Sequence, residues 1–289
     1  MSKQRTLERE RRWAMPAALC AFGAAILFIG STIAAQSGVV AAGTETEFLR
    51  EFEENRSTML MASVLNFLAL ALFAPVLVYL FRAAAARSEA VRGGLVGVVA
   101  AGPIFFGIAN LAQYLAFSAA ASDFATLGGG AGIPVGEYAR DLIRDHAAYG
   151  FAQGFGFAGI IAMVFGVVYT CLWAMRVGLL TRFFATFGMA LGASLILLAQ
   201  VFSLLALMFW GAWLGLVILD RSPRGRPAAW DAGEAVPWPR PGDQPAEPDE
   251  RDLEGEATEL FAGASNGDRE NPNAARRERA KRRKRKRRR

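Results

Sequence analysis

Five long stretches of the chain run without a formal charge, and segments of mixed and uneven charge separate them. They cover residues 13–35, 59–81, 93–119, 149–175 and 183–219. A bilayer's hydrocarbon needs about 20 consecutive apolar residues in helix. The first four stretches fit one crossing each. The fifth would form a straight helix about 55 Å long, well beyond the roughly 30 Å available. It reads as two short crossings, 181–199 and 202–219, joined by a turn near Gln200–Ser203. The expected fold is therefore all-α, a polytopic transmembrane bundle of six spans with a disordered C-terminal tail.

Loop charge orients those spans, because Lys and Arg concentrate on the cytoplasmic side. Lys3, Arg5, Arg9, Arg11 and Arg12 place the N-terminus inside. The loop 36–58 holds two Arg against five Glu and reads as outside. Arg82, Arg87 and Arg92 return the chain inside, the acidic loop 120–148 goes outside, and Arg176 and Arg182 come back in. An even number of spans in the last run keeps Arg221, Arg224, Arg226 and the basic end inside. This predicts a multi-pass protein of the plasma (inner) membrane with both termini cytoplasmic. The first apolar stretch exceeds a signal-peptide h-region of about 7–15 residues, and Ile33 would occupy the −3 position of a cut after Ala35. An uncleaved signal-anchor is expected.

Composition changes the picture only at the end of the chain. The formal net charge is +6, yet residues 276–289 alone hold twelve Arg or Lys and one Glu. The rest of the chain is net acidic, which removes the case for a basic nucleic-acid fold. Residues 220–275 mix acidic side chains with Pro, Gly and Ala and have too little apolar surface to offset ordering entropy. Three regions follow: a basic N-terminus (1–12), the transmembrane domain (13–219) and a tail (220–289) that is polybasic at 276–289. Each cation near an anionic leaflet is worth about 1 kcal/mol. Arg282, Arg283, Lys284, Arg285, Lys286 and Arg287, at the centre of that cluster, are thus expected to bind anionic lipid headgroups. The segment has no aromatic for base stacking and no groove-reading helix, so sequence-specific nucleic-acid binding is not expected.

Candidate chemistry inside the spans is sparse. Asn66, Asn110, Gln113 and Gln153 are the amides within them, and Asn110 and Gln113 share a helix face. Amides in hydrocarbon need partners, so they read either as interhelical glue or as a polar pocket for a solute or lipid. No Asp, Glu, Lys or Arg lies within the five apolar runs to carry a proton or ion. The sole histidine, His146, has Asp141 and Asp145 nearby and reads as the start of a helix. The sequence GFGFAG at 154–159 matches the dinucleotide fingerprint in letters, but it lies within an apolar span with no preceding strand. Its glycines, and the pairs Gly150/Gly154, Gly188/Gly192 and Gly211/Gly215, read as close helix packing, with a homo-oligomer contact as the alternative. Cys20 and Cys171 read as small core residues. Neither a cofactor nor a metal is expected. The outer loops hold two amphipathic pieces, around Phe48–Phe52 and in 134–146, expected to lie on the outer leaflet.

After the last span, Trp230 and Trp238 stand among prolines as candidate interfacial anchors. Trp230, Gly233, Glu234, Ala235, Pro237, Trp238 and Pro239 form a WxxGEAxPWP pattern. It resembles the juxtamembrane signature of uncharacterised six-span bacterial membrane proteins, domains of unknown function. That resemblance implies architecture and carries no established activity. The expected function is non-enzymatic: membrane-structural, lipid-contacting or partner-recruiting. The alternative is a transporter, or a lipid- or small-solute-binding membrane protein, with a polar intramembrane pocket built around the four amides.

Overall fold

The computed structural model describes residues 3–38, 44–127, 135–197, 200–223 and 225–239. Every regular element among them is helical. In chain order these are α1 (Lys3–Gly38), α2 (Glu45–Glu54), α3 (Arg56–Ala85), α4 (Val96–Leu127), α5 (Val135–Asp145), α6 (Ala147–Arg176), α7 (Arg182–Leu197), α8 (Gln200–Ile218) and α9 (Ala229–Ala232). A single 3-10 turn, Gly93–Leu95, leads into α4. Residues 1–238 form one compact unit. The acidic stretch and the polybasic end, including Arg282 to Arg287, lie outside the described residues.

Five helices are long and apolar enough to cross a membrane: α1, α3, α4, α6 and α8. This fits a multi-pass membrane protein. Helix α7 is apolar but shorter, about 24 Å by helical rise. It pairs antiparallel with α8. The indole of Trp210 donates to the Phe184 carbonyl (3.1 Å), and the Ser203 hydroxyl donates to the Ser194 carbonyl (3.3 Å). The break between α7 and α8 falls before Gln200, so Gln200–Ser203, expected to form the turn, instead open α8.

Each apolar helix packs on the next, and α8 closes back on α1, so the six form a ring. Phe73, Leu77 and Leu80 of α3, Met163 and Val167 of α6, and Leu207 and Leu214 of α8 are fully buried in its interior. The most extensive pairing joins α4 to α6. Gly102 lies against the backbone of Met163, and Gly159 against the backbone of Phe106, where an added Cβ would stand 2.5 Å from the amide nitrogen. With no hydrophobic drive between helices in lipid, such approach is what makes the pairing favourable. Of the glycine pairs, Gly188/Gly192 and Gly211/Gly215 pack internally, whereas Gly150 and Gly154 face open space.

The end of the ring farther from the N-terminus, here the distal end, carries a second core. Leu49 and Phe52 of α2 are buried against Tyr114, Ala121 and Phe124 of α4, together with Ala139 of α5. Burying an apolar side chain of this size contributes about 1.5–3 kcal/mol. The apolar face of α2 is therefore covered by protein, and the expected leaflet-lying helix becomes a cap on the long α4. Arg140 of α5 bridges to Glu45 of α2 at 2.6 Å on the exposed side. His146 is the N-cap of α6, its Nδ1 accepting from the Ala148 amide (3.4 Å). That is the helix-start role its position predicts.

Candidate functional site: a buried ion pair under a C-terminal strap

The opposite, proximal end gathers the first turns of α1, the end of α3, the α6–α7 connection and the chain after α8. There α1 begins well before its apolar run, so Glu10 is carried as the first part of a continuous helix. Arg87 lies two residues past the end of α3, in a turn closed by its own amide donating to the Ala84 carbonyl. The two side chains meet as a bidentate pair, with relative exposures of 5% and 0%. One guanidinium nitrogen of Arg87 donates to Glu10 Oε1, and Nη2 donates to Oε2 at 2.9 Å.

The remaining donors of Arg87 are also taken. Nη1 reaches the Ala83 carbonyl (2.9 Å), Nε the Ala229 carbonyl (3.0 Å) and Nη2 the Trp230 carbonyl (3.5 Å). A guanidinium has five N–H groups, and each has an acceptor. Full satisfaction is what makes a buried charge tolerable. Two of those acceptors are backbone atoms of α9. The strap formed by residues 221–238 is thus part of the coordination shell of a charge it does not carry.

Trp230 fills the space beside the pair and is fully buried. Its ring stacks on Tyr79 (6.0 Å between centroids, 12° between planes), and its Nε1 donates to the Leu179 carbonyl at 2.8 Å. The guanidinium carbons of Arg226 and Arg87 lie 4.8 Å and 5.6 Å from the ring centroid, within cation–π range. Tyr79 donates its hydroxyl to the Glu10 carbonyl (3.2 Å), tying α3 to α1 at the same level. Trp230 is therefore anchored in protein and does not sit among headgroups. Trp238 is 36% exposed and donates its indole N–H to the Leu180 carbonyl (2.9 Å).

The rest of the WxxGEAxPWP pattern fits this geometry. Gly233 ends α9 at φ +64° with Leu7 of α1 packed against it, a backbone angle that strains other residues. Glu234 pairs with Lys3 on the surface. The Val236 amide donates to the Val177 carbonyl (3.1 Å), beside Gly178 at φ +80°. The pattern specifies a strap that closes the end of a helix ring.

Two cavities adjoin it. One of about 230 Å3 lies between α1 and α3 and is lined by Arg9, Trp13, Cys20 and Arg82. A larger groove of about 990 Å3 runs between α7, α8 and the strap. None of the four intramembrane amides lines either one. Asn110 donates to the Phe106 carbonyl of its own helix (2.8 Å), and Asn66 Oδ1 is buried without a hydrogen-bond partner. Gln113 is half-buried, and Gln153 is exposed on the outer face of α6. Neither cavity brings the four amides together.

Sequence reasoning missed Glu10, Arg87 and Tyr79. Arg87 counts in the sequence as one of several loop cations, and Glu10 as one of two acids among five N-terminal bases. Glu8 interrupts the same basic segment, so no local signal singles out Glu10. Among the described residues there is no cluster of metal-ligating side chains, and Cys20 and Cys171 are unpaired. Compared with known protein families, curated proteins and solved structures, the chain matches none.

Proposed function

We propose that this chain is a six-crossing integral protein of the plasma (inner) membrane, with both termini cytoplasmic and a non-enzymatic role. It holds a cationic C-terminal segment at the inner leaflet, where that segment binds anionic lipid headgroups or recruits a partner. The observation that carries the reading is the strap. The Ala229 and Trp230 carbonyls are fastened to Arg87, which is paired with Glu10, so the strap is held at the proximal end of the ring. Tethering keeps the effective concentration of the twelve terminal cations high at the adjacent surface.

In this reading α7 and α8 are a hairpin of two crossings, supported by their antiparallel hydrogen bonds. The fully satisfied pair at the proximal end leaves no open donor for substrate, which favours a latch over acid–base chemistry. The alternative, a transporter or a lipid- or small-solute-binding protein, needs the four amides around one space, and neither cavity is lined by them.

Reporter or cysteine-labelling sites at Gly43, Ser88, Gly130, Gly178 and Gly255 test the topology. Gly43 and Gly130 are expected outside, the other three inside. Gly255 outside with Gly178 inside would reduce the last run to one crossing and sink the proposal. A peptide of residues 270–289 is expected to bind vesicles containing anionic lipid, to ignore neutral ones and to release steeply with salt.

A further inference from the structure

The large groove beside the strap has walls and a rim of different character. Phe183 and Phe187 of α7 face it from one side, Phe209 and Trp213 of α8 from the other, and all four are exposed. Its lining follows α8 from Val217 back to Ala206, about 16 Å at 1.5 Å per residue. At the strap end Arg226 is the one charged residue among the described residues that line it.

Arg226 is held in place and left electrically unanswered. Its guanidinium rests on the face of the buried Trp230. No carboxylate among the described residues pairs with it, and its Nε is buried without an acceptor. A guanidinium in that condition calls for an anionic oxygen ligand, phosphate and carboxylate being its geometric matches.

The geometry points to a site for one anionic phospholipid, its phosphate on Arg226 and an acyl chain laid along Phe183, Phe187, Phe209 and Trp213. This rests on the reading that the ring spans a membrane. Cation and aromatic rim then lie at headgroup level and the apolar wall descends from them, the arrangement an amphiphile presents in reverse. A free anion would satisfy Arg226 and leave the aromatic wall bare. A zwitterionic lipid would cover the wall and bring its own ammonium to the cation. An anionic lipid meets both demands.

Tryptophan quenching by phospholipids brominated on their acyl chains tests this on the full-length protein, with anionic phosphatidylglycerol compared against phosphatidylcholine. Stronger quenching by the anionic lipid is expected. Arg226→Gln should lower that preference about fivefold, the effect of one cation at an anionic surface. Arg226→Lys should retain most of it. Trp213→Phe should remove much of the excess signal, because its ring lies on the wall. The polybasic end is unchanged in every variant, so it cannot produce the differences between variants.

Equal quenching by the two lipids, an undiminished preference in Arg226→Gln, or an excess unaffected by Trp213→Phe would each overturn the site. Helical circular dichroism and melting temperature identify a variant that fails to fold, in which case the lysine and phenylalanine variants decide. Loss of lipid preference leaves the reporter topology untouched, so the two ideas fail separately.

Discussion

Arg87 and Glu10 stand 77 positions apart in the chain and form a two-pronged ion pair with almost no exposure. Removing one member leaves the other buried and uncompensated, which costs about 3–5 kcal/mol, whereas replacing both with apolar side chains costs far less. Glu10→Gln or Arg87→Met is expected to lower the melting temperature in detergent and to open Arg226 to trypsin. The double variant Glu10→Met, Arg87→Met should recover much of the loss. A double variant as unstable as the sum of the singles would mean that the pair is not acting as one unit.

The two strap tryptophans should separate sharply. Trp230→Ala empties a fully enclosed site, and truncating a buried aromatic costs about 3–5 kcal/mol. Trp238→Ala removes one hydrogen bond at a part-exposed position and should cost about 1 kcal/mol. Thermal unfolding of both variants in the same detergent reads the difference. Equal losses would contradict the burial of Trp230.

Within one sequence motif, the first and last glycines differ in kind. Gly159→Ala forces a methyl group against the Phe106 backbone and is expected to destabilise by about 1–3 kcal/mol. Gly154→Ala meets nothing and removes a residue of poor helix propensity, so it should be neutral or stabilise by up to about 1 kcal/mol. Melting temperatures of the two variants should move apart.

At the distal end, the Arg140 guanidinium beside Glu45 holds that carboxyl below its ordinary pKa. A depressed carboxylate stabilises the fold at pH above its ordinary value, and that contribution is lost as pH falls through the lowered one. The pairing of α2 with α5 should therefore weaken on acidification and be unaffected near neutrality. Carboxyl-carbon NMR of Glu45 should show its midpoint rising in Arg140→Ala. A midpoint unmoved by that change would mean that the bridge does not persist in solution.

The helix content was legible because charge-free runs in an otherwise charged chain carry a strong signal. The ring's proximal closure was less so. Glu10 and Arg87 look like ordinary loop charges, since nothing local distinguishes a charge that meets a partner across the bundle from one that meets water. Trp230 could be picked out by its motif, yet its place in the protein interior depends on Tyr79 and Leu179, which are distant in sequence. The amphipathic pattern of α2 was readable, but pattern alone does not say whether lipid or the overhanging end of α4 covers an apolar face. Neither Gly nor Pro marks the start of α8 at Gln200, so the apolar pattern alone does not locate it.

The order of synthesis gives the strap a further significance. Translation delivers Glu10 first and Arg87 next, with the Ala229 and Trp230 carbonyls last. A nascent chain that stops before Ala229 can form the ion pair, but the Nε of Arg87 has no acceptor and the slot on Tyr79 stands open. Completion of the bundle is thus recorded at one place, by the segment that follows the last apolar helix. An interrupted product leaves that charge without two of its acceptors.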